Sequence, residues 1–111
     1  MKNQENYFDK LFNLKGKVVV VTGATGQLGQ EICLGFCNSG SKVVGVDKVL
    51  NNQKMLRSEN CSYLEVDILR KKSVSETFSN IYDQHNSIDI LINNAGVSCF
   101  EPFEERSEES F

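Results

Sequence analysis

The sequence predicts an α/β protein built on a doubly wound parallel sheet, truncated after about four strands. Three observations point that way. The unbroken run Val18-Val19-Val20-Val21 suits a strand buried on both faces, as in a parallel sheet with helices on each side. The run stops at a glycine-rich turn, residues 22–29, which opens into a helical pattern. Further strand-like and helix-like stretches then alternate, an order that implies a parallel sheet with right-handed crossovers.

The elements follow in order. Residues 1–14 read as a leader whose Phe8, Leu11, Phe12 and Leu14 are expected to cover one edge of the domain. Lys15-Gly16 punctuates the start of the first strand, about 17–21. A helix is expected over about 27–38, with Leu28, Ile32, Gly35 and Phe36 on one face. Ser39-Gly40 ends it, as a glycine just past a helix should. Residues 42–47 read as the second strand, 53–57 as a short helix and 62–66 as the third strand. A second clear helix is expected over about 71–84, with Val74, Phe78, Ile81 and Tyr82 as its apolar stripe, and a fourth strand over 88–92. In the acidic tail from Glu101, Ser107 before Glu108 and Glu109 looks like a helix N-cap with carboxylates in the first turn.

Composition bounds the function. The chain's 111 residues suffice for one domain with a core but not for two. A net charge of −3 favours neither nucleic acid nor an anionic membrane as partner. The first ten residues hold no signal-peptide apolar core, and no apolar run approaches a membrane span, so the cytoplasm is the default location. The four cysteines, Cys33, Cys37, Cys61 and Cys99, form no CxxC pair, and the single histidine, His85, has no partner pattern. No metal site is expected; free cysteines packed as small apolar groups are the stronger reading. His85 is expected exposed in a polar turn, and the glutamates of the tail on a solvated face.

The chemistry sits at the strand ends. A phosphate needs backbone N–H groups close by, which side chains would block, and a helix N-terminus offers it partial positive charge. Gly23, Gly26 and Gly29 are therefore candidates for a diphosphate cradle, with Gly29 one turn into the helix where a bare Cα lets helix and strand pack closely. Asp47 ends the second strand 18 residues after Gly29. A carboxylate there can accept hydrogen bonds from the adenosine ribose of NAD and would repel the 2′-phosphate of NADP, an effect softened by Lys48. Asp67-Ile68 follows the third strand, where a carboxylate can meet an adenine amino group and an aliphatic side chain can cover the base. Asn93-Asn94-Ala95-Gly96 follows the fourth strand; its small residues admit a cofactor close to the backbone, and an Asn amide can pin neighbouring strands.

Together these motifs resemble the short-chain dehydrogenase/reductase family: Thr22-Gly23-Ala24-Thr25-Gly26-Gln27-Leu28-Gly29, Asp47, Asp67-Ile68 and Leu91-Ile92-Asn93-Asn94-Ala95-Gly96. Leu14-Lys15-Gly16-Lys17 and Ser87-Ile88-Asp89-Ile90-Leu91 look like that family as well, so the resemblance runs from about residue 14 to the end. It implies a Rossmann domain over residues 15–111, incomplete at its C-terminus, that binds NAD or NADP for hydride transfer between the nicotinamide and an alcohol or carbonyl. Carried onto this chain, Gly23, Thr25, Gly26, Gln27, Leu28 and Gly29 would hold the diphosphate. Asp47 would hold the ribose, Asp67 and Ile68 the adenine, and Asn94, Ala95 and Gly96 the middle of the cofactor. The glycine spacing TGxxGxxG departs from the family's TGxxxGxG and is more like an extended branch rich in nucleotide-sugar epimerases and dehydratases. A non-catalytic NAD-binding module is a further alternative.

The family's chemistry uses a tyrosine and a lysine four residues apart on a late helix, with a serine and an asparagine. Tyr7, Tyr63 and Tyr82 are followed four residues on by Leu11, Asp67 and Asn86, and Ser98 comes too soon after the fourth strand. No catalytic residue is therefore identified. In the family's strand order, 3-2-1-4-5-6-7, the fourth strand is interior, and an uncovered apolar edge invites pairing with other chains. The expectation is that these residues are the amino-terminal part of a longer enzyme, or a truncated reading frame, inactive alone. A small-molecule substrate of unknown identity and a homo-oligomeric full-length form complete the expectations.

Overall fold

A computed structural model describes residues 13–95. The elements run β1 (Val18–Thr22), α1 (Gln27–Asn38), β2 (Lys42–Asp47), a 3-10 turn (Asn52–Lys54), β3 (Cys61–Glu65), α2 (Lys71–His85) and β4 (Ile90–Ile92). The four strands form one sheet in the order β3-β2-β1-β4, and every pairing is parallel. The fold class read from the sequence is therefore the one observed.

The central strand explains the arrangement. All five residues of β1 are buried, as a strand flanked on both edges and covered on both faces must be. Alternation along β1 splits its side chains between two cores. Val18 and Val20 join Val44, Val46, Val66 and Ile81 beneath α2, with Val74, Phe78 and Ile88 packed against them. Val19 and Val21 join Ala24, Cys33 and Val43 beneath α1. The sheet is thus wound on both faces.

The helix ends have identifiable causes. α1 closes at Ser39 with a Schellman arrangement: the Gly40 N–H donates to the Cys37 carbonyl and the Ser41 N–H to the Phe36 carbonyl. Gly40 sits at φ +86°, where a Cβ would be strained. α2 closes on Asn86, at φ +64°, whose N–H donates to the Tyr82 carbonyl at 2.7 Å.

Several expectations shift. The buried face of α1 is centred on Gly29 and Cys33, while Leu28 and Gly35 face outward, because the start of α1 must bring a bare Cα against the glycine turn. The expected helix over 53–57 is only the 3-10 turn, started by Asn51, whose side chain accepts from the Gln53 N–H, and stopped where Met55 turns extended. β4 begins at Ile90 rather than 88, since Asp89 spends its carboxylate on the Val18 N–H at the end of the ladder. His85 is the last residue of α2 and half-buried, not part of a turn. Phe8, Leu11, Phe12, Gly96, Ser98, Cys99 and the acidic tail lie outside the described residues.

Candidate cofactor-binding site

The site gathers at the carboxyl ends of the parallel strands. β1 runs into Gly23, at φ +64°, and the chain turns sharply there. A Cβ on Gly23 would stand 3.0 Å from the Ala95 Cα, so only glycine lets the segment after β4 lie this close. The Thr22 hydroxyl oxygen accepts the N–H groups of Asn94 and Ala95, both at 3.0 Å, and the Asn94 side-chain amide donates to the Gly23 carbonyl at 3.2 Å. The turn after β1 and the segment after β4 are thereby locked together.

Gly26 caps α1 in an extended conformation. Among the described residues no side chain caps that end, and the first turn carries no acidic residue. The N–H groups that open a helix have no acceptor within it, and no acidic residue of the first turn offsets the positive end of the dipole. Gly26, Gln27 and Leu28 are exposed at that end. Gly29 is buried, and a Cβ there would overlap the Gly23 carbonyl oxygen and come within 2.9 Å of the Ala24 backbone. Gln30 braces the turn from within, its amide donating to the carbonyls of Thr25 and Gly26.

Asp47 reaches this turn from the end of β2. Its Oδ2 accepts from the Thr25 N–H at 3.1 Å and from the Thr25 hydroxyl at 2.7 Å, and its Oδ1 accepts from the Lys48 N–H at 2.9 Å. Thr25 is buried, so its side chain serves this contact from inside the turn rather than from its outer surface. Asp67 shapes the turn into α2: its Oδ1 accepts from the Leu69 N–H at 3.0 Å, and its other oxygen lies 3.9 Å from Arg70 Nε. Ile68 stays 41% exposed, an apolar side chain held at the cleft rather than in the core.

Gly23, Asp47, Asp67, Ile68 and Ala95, from the ends of all four strands, line one cleft of about 170 Å³. A larger open concavity of about 610 Å³ runs along α2 beside Val74, Phe78 and Tyr82, but none of the glycine-turn residues faces it. The smaller cleft, where Gly23 of the glycine turn, the two carboxylates and the segment after β4 meet, is the candidate site, although none of Gly26, Gln27, Leu28 and Gly29 lines it. Its position outside the carboxyl ends of the strands, where β1 stands between β2 and β4, is the switch point at which open α/β sheets bind ligands.

The sequence profile of the short chain dehydrogenase family matches residues 17–111. The chain belongs to that family. Among its relatives is an NAD-dependent glycerol dehydrogenase of Listeria innocua, 35% identical over an alignment of 105 residues that covers 92% of this chain and 41% of the relative. An uncharacterized oxidoreductase of Schizosaccharomyces pombe is 32% identical over 98 residues, 88% of this chain and 37% of the relative. Among solved structures, a short chain dehydrogenase from Leptospira borgpetersenii with bound NAD+ superposes with a TM-score of 0.68 at 31% identity, over 88% of this chain and 38% of that one. The chain spans about two fifths of the length of these family members. The family is NAD(P)-dependent, and the uncapped N-terminus of α1 with its glycine turn fits a dinucleotide's diphosphate.

Three features escaped sequence reasoning. The Thr22 hydroxyl as a clamp for residues 94 and 95 carries no signal beyond the Thr-Gly pair. Gly45, in the middle of a valine-rich strand, was a visible signal: a Cβ there would stand 2.7 Å from the Ala24 Cβ and from the Tyr63 ring. The pairing of Thr25 with Asp47 needs the folded turn to be seen.

Proposed function

We propose that this chain forms the cofactor-holding part of an oxidoreductase that moves a hydride between a nicotinamide and an alcohol or carbonyl carbon. The observation that carries the reading is the open N-terminus of α1 beside a carboxylate tied into the same turn. The backbone N–H groups of Gln27, Leu28 and Gly29 would hold the diphosphate, with Gly23 and Gly26 leaving room and Thr25 bracing the turn from inside. Asp47 would accept the ribose hydroxyls, Asp67 and Ile68 would meet the adenine, and Asn94, Ala95 and Gly96 would border the middle of the cofactor. The cofactor, when bound, supplies the hydride acceptor or donor.

The preferred cofactor is NAD. A 2′-phosphate beside Asp47 would meet a like charge, only partly offset by Lys48. The Listeria relative's name and the NAD+ in the Leptospira structure support the same choice. The proton relay that the reaction needs has no candidate among the chain's own residues, so the 111 residues alone are expected to bind without turning over. A small-molecule substrate, a homo-oligomeric full-length form and a cytoplasmic location complete the reading, with residues 15–111 as the cofactor domain behind the leader 1–14.

Calorimetric titration of NAD and NADP tests it, with Asp47→Ala as control. NAD should bind more tightly than NADP. The variant loses charge-assisted hydrogen bonds that contribute about 1.5–3 kcal/mol, so NAD should weaken by roughly tenfold or more and the preference over NADP should shrink. A folded chain that binds neither dinucleotide, or a variant with the preference intact, would refute the assignment.

A further inference from the structure

Three of the four cysteines meet between α1 and the edge strand β3. Cys33 and Cys37 stand one turn apart on α1, and Cys61 opens β3 opposite Val43 of β2. Cys33 is fully buried among Val19, Val21 and Val43, with Cys37, Cys61 and Tyr63 packed against that cluster. All three are free thiols, and Cys61 and Cys37 keep partial exposure. Tyr63 is anchored, its hydroxyl oxygen accepting from the Leu56 N–H at 2.8 Å.

The cluster distributes its protons unevenly. Hydrogen bonding from the Cys33 thiol, against the cost of burial and with help from the Tyr63 hydroxyl and Cys37, pushes Cys61 down to about 6. The same contact, with burial, pushes Cys33 far up. Burial and the negative charge of Cys61 push Cys37 up to about 12, while Ser58 draws it the other way. The partly exposed Cys61 therefore gives up its proton more readily than Cys33 and Cys37 packed beside it, the pattern of a reactive sulfur with a resolving partner.

We propose that Cys61 and Cys33 form a hydroperoxide-sensitive dithiol that closes a disulfide between β3 and α1. The Cys61 thiolate attacks the terminal oxygen of a hydroperoxide; an S–O bond forms, the O–O bond breaks, and the departing oxide takes a proton from water. The sulfur loses two electrons and the peroxide gains them. The Cys33 sulfur then attacks the Cys61 sulfenic sulfur; the S–S bond forms, the S–O bond breaks, and hydroxide leaves with the Cys33 proton as water. Oxidation of Cys61 also removes the hydrogen bond and the charge that, together with burial, hold the Cys33 proton. Cys37 is the lesser partner because Cys33 lies within the buried cluster against which Cys61 packs, whereas Cys37 lies at its margin. The bridge would clamp α1, whose N-terminus forms the candidate site, to the sheet edge.

The test uses the chain with Cys99→Ser, reduced, freed of reductant and exposed to a small excess of hydrogen peroxide. Intact mass should fall by two hydrogens, reversibly with dithiothreitol. Combined tryptic and chymotryptic mapping separates Cys33 from Cys37 and should show Cys61 joined to Cys33. Cys37→Ser should keep the bridge and Cys61→Ser should lose it. Because a substitution can disturb folding, alkylation of the unsubstituted trio by iodoacetamide at neutral pH is the second readout. Cys61 should be labelled roughly tenfold or more ahead of Cys33 and Cys37, as its thiolate fraction dictates. A bridge to Cys37, peroxide products that stop at Cys61 sulfinic acid, or equal labelling of the three thiols would overturn the proposal.

Discussion

Thr25 holds Asp47 twice: its backbone N–H at 3.1 Å and its hydroxyl at 2.7 Å both donate to Oδ2. The end of β2 and the glycine turn after β1 are thereby one mechanical unit. Whatever the carboxylate grips and whatever the turn cradles are positioned together. Thr25→Val keeps the volume and removes the hydroxyl, leaving a half-buried carboxylate short of one charge-assisted donor. Stability should fall by about 1–2 kcal/mol, read from the urea midpoint by far-UV circular dichroism, and NAD affinity should fall with it. Thr25→Ser restores the donor and should lie close to the parent on both measures.

α1 contains two glycines with opposite roles. At Gly29 a Cβ would collide with the Gly23 carbonyl and the Ala24 backbone, neither of which has a flexible end to move. At Gly35 a Cβ would meet nothing within 4 Å. Gly29→Ala should cost about 1–3 kcal/mol, as overpacking against backbone does. Gly35→Ala should gain about 0.5–1 kcal/mol, because alanine surrenders less backbone entropy in a helix. Thermal melts of the two variants should shift in opposite directions, and a Gly29→Ala chain that melts no lower than the parent would contradict the packing.

This contrast also marks what the sequence made legible. The valine run, the glycine turn and the placement of Asp47 are local signals, and each element they announce is observed within a residue or two. Which face of α1 turns inward was not local. Leu28 has the right spacing for a buried stripe, yet it is 62% exposed because Gly29 must face Gly23. The short helix expected over 53–57 failed for a related reason: the Leu56 N–H is taken by the Tyr63 hydroxyl, a partner from β3, and the backbone there stays extended. The site's residues were nameable one at a time. Their mutual bonds, Thr22 to residues 94 and 95 and Thr25 to Asp47, span from 22 to 73 positions and exist only once the sheet has ordered the strands.

Asn86 is the one non-glycine among the described residues at positive φ, +64°, and it ends α2 there. Asparagine tolerates the left-handed region better than residues with a bulkier or apolar Cβ substituent. Asn86→Ala should therefore cost about 1 kcal/mol while Asn86→Gly should be neutral or slightly stabilising. Equal melting temperatures for the alanine and glycine variants would show that the left-handed cap carries no strain.

Asp89 links β4 to β1. Its Oδ2 accepts from the Val18 N–H at 2.8 Å and from the Ser87 hydroxyl at 3.2 Å, and its own N–H donates to the Val18 carbonyl at 2.9 Å. The Val18 N–H above all, then the Ser87 hydroxyl and the Lys17 ammonium, hold its carboxyl below the ordinary carboxylate range. The folded state thus binds this proton less readily than the unfolded chain. The resulting stabilisation is complete above the unfolded value of about 3.9 and is lost as pH falls through the lower, folded value. Asp89→Asn keeps an acceptor oxygen for Val18 but no longer titrates. Between neutral pH and a pH of about 3, the parent's urea midpoint should drop further than the variant's, since all other carboxylates are common to both. Equal drops would mean that Asp89 does not fasten β4 to β1 through its charge.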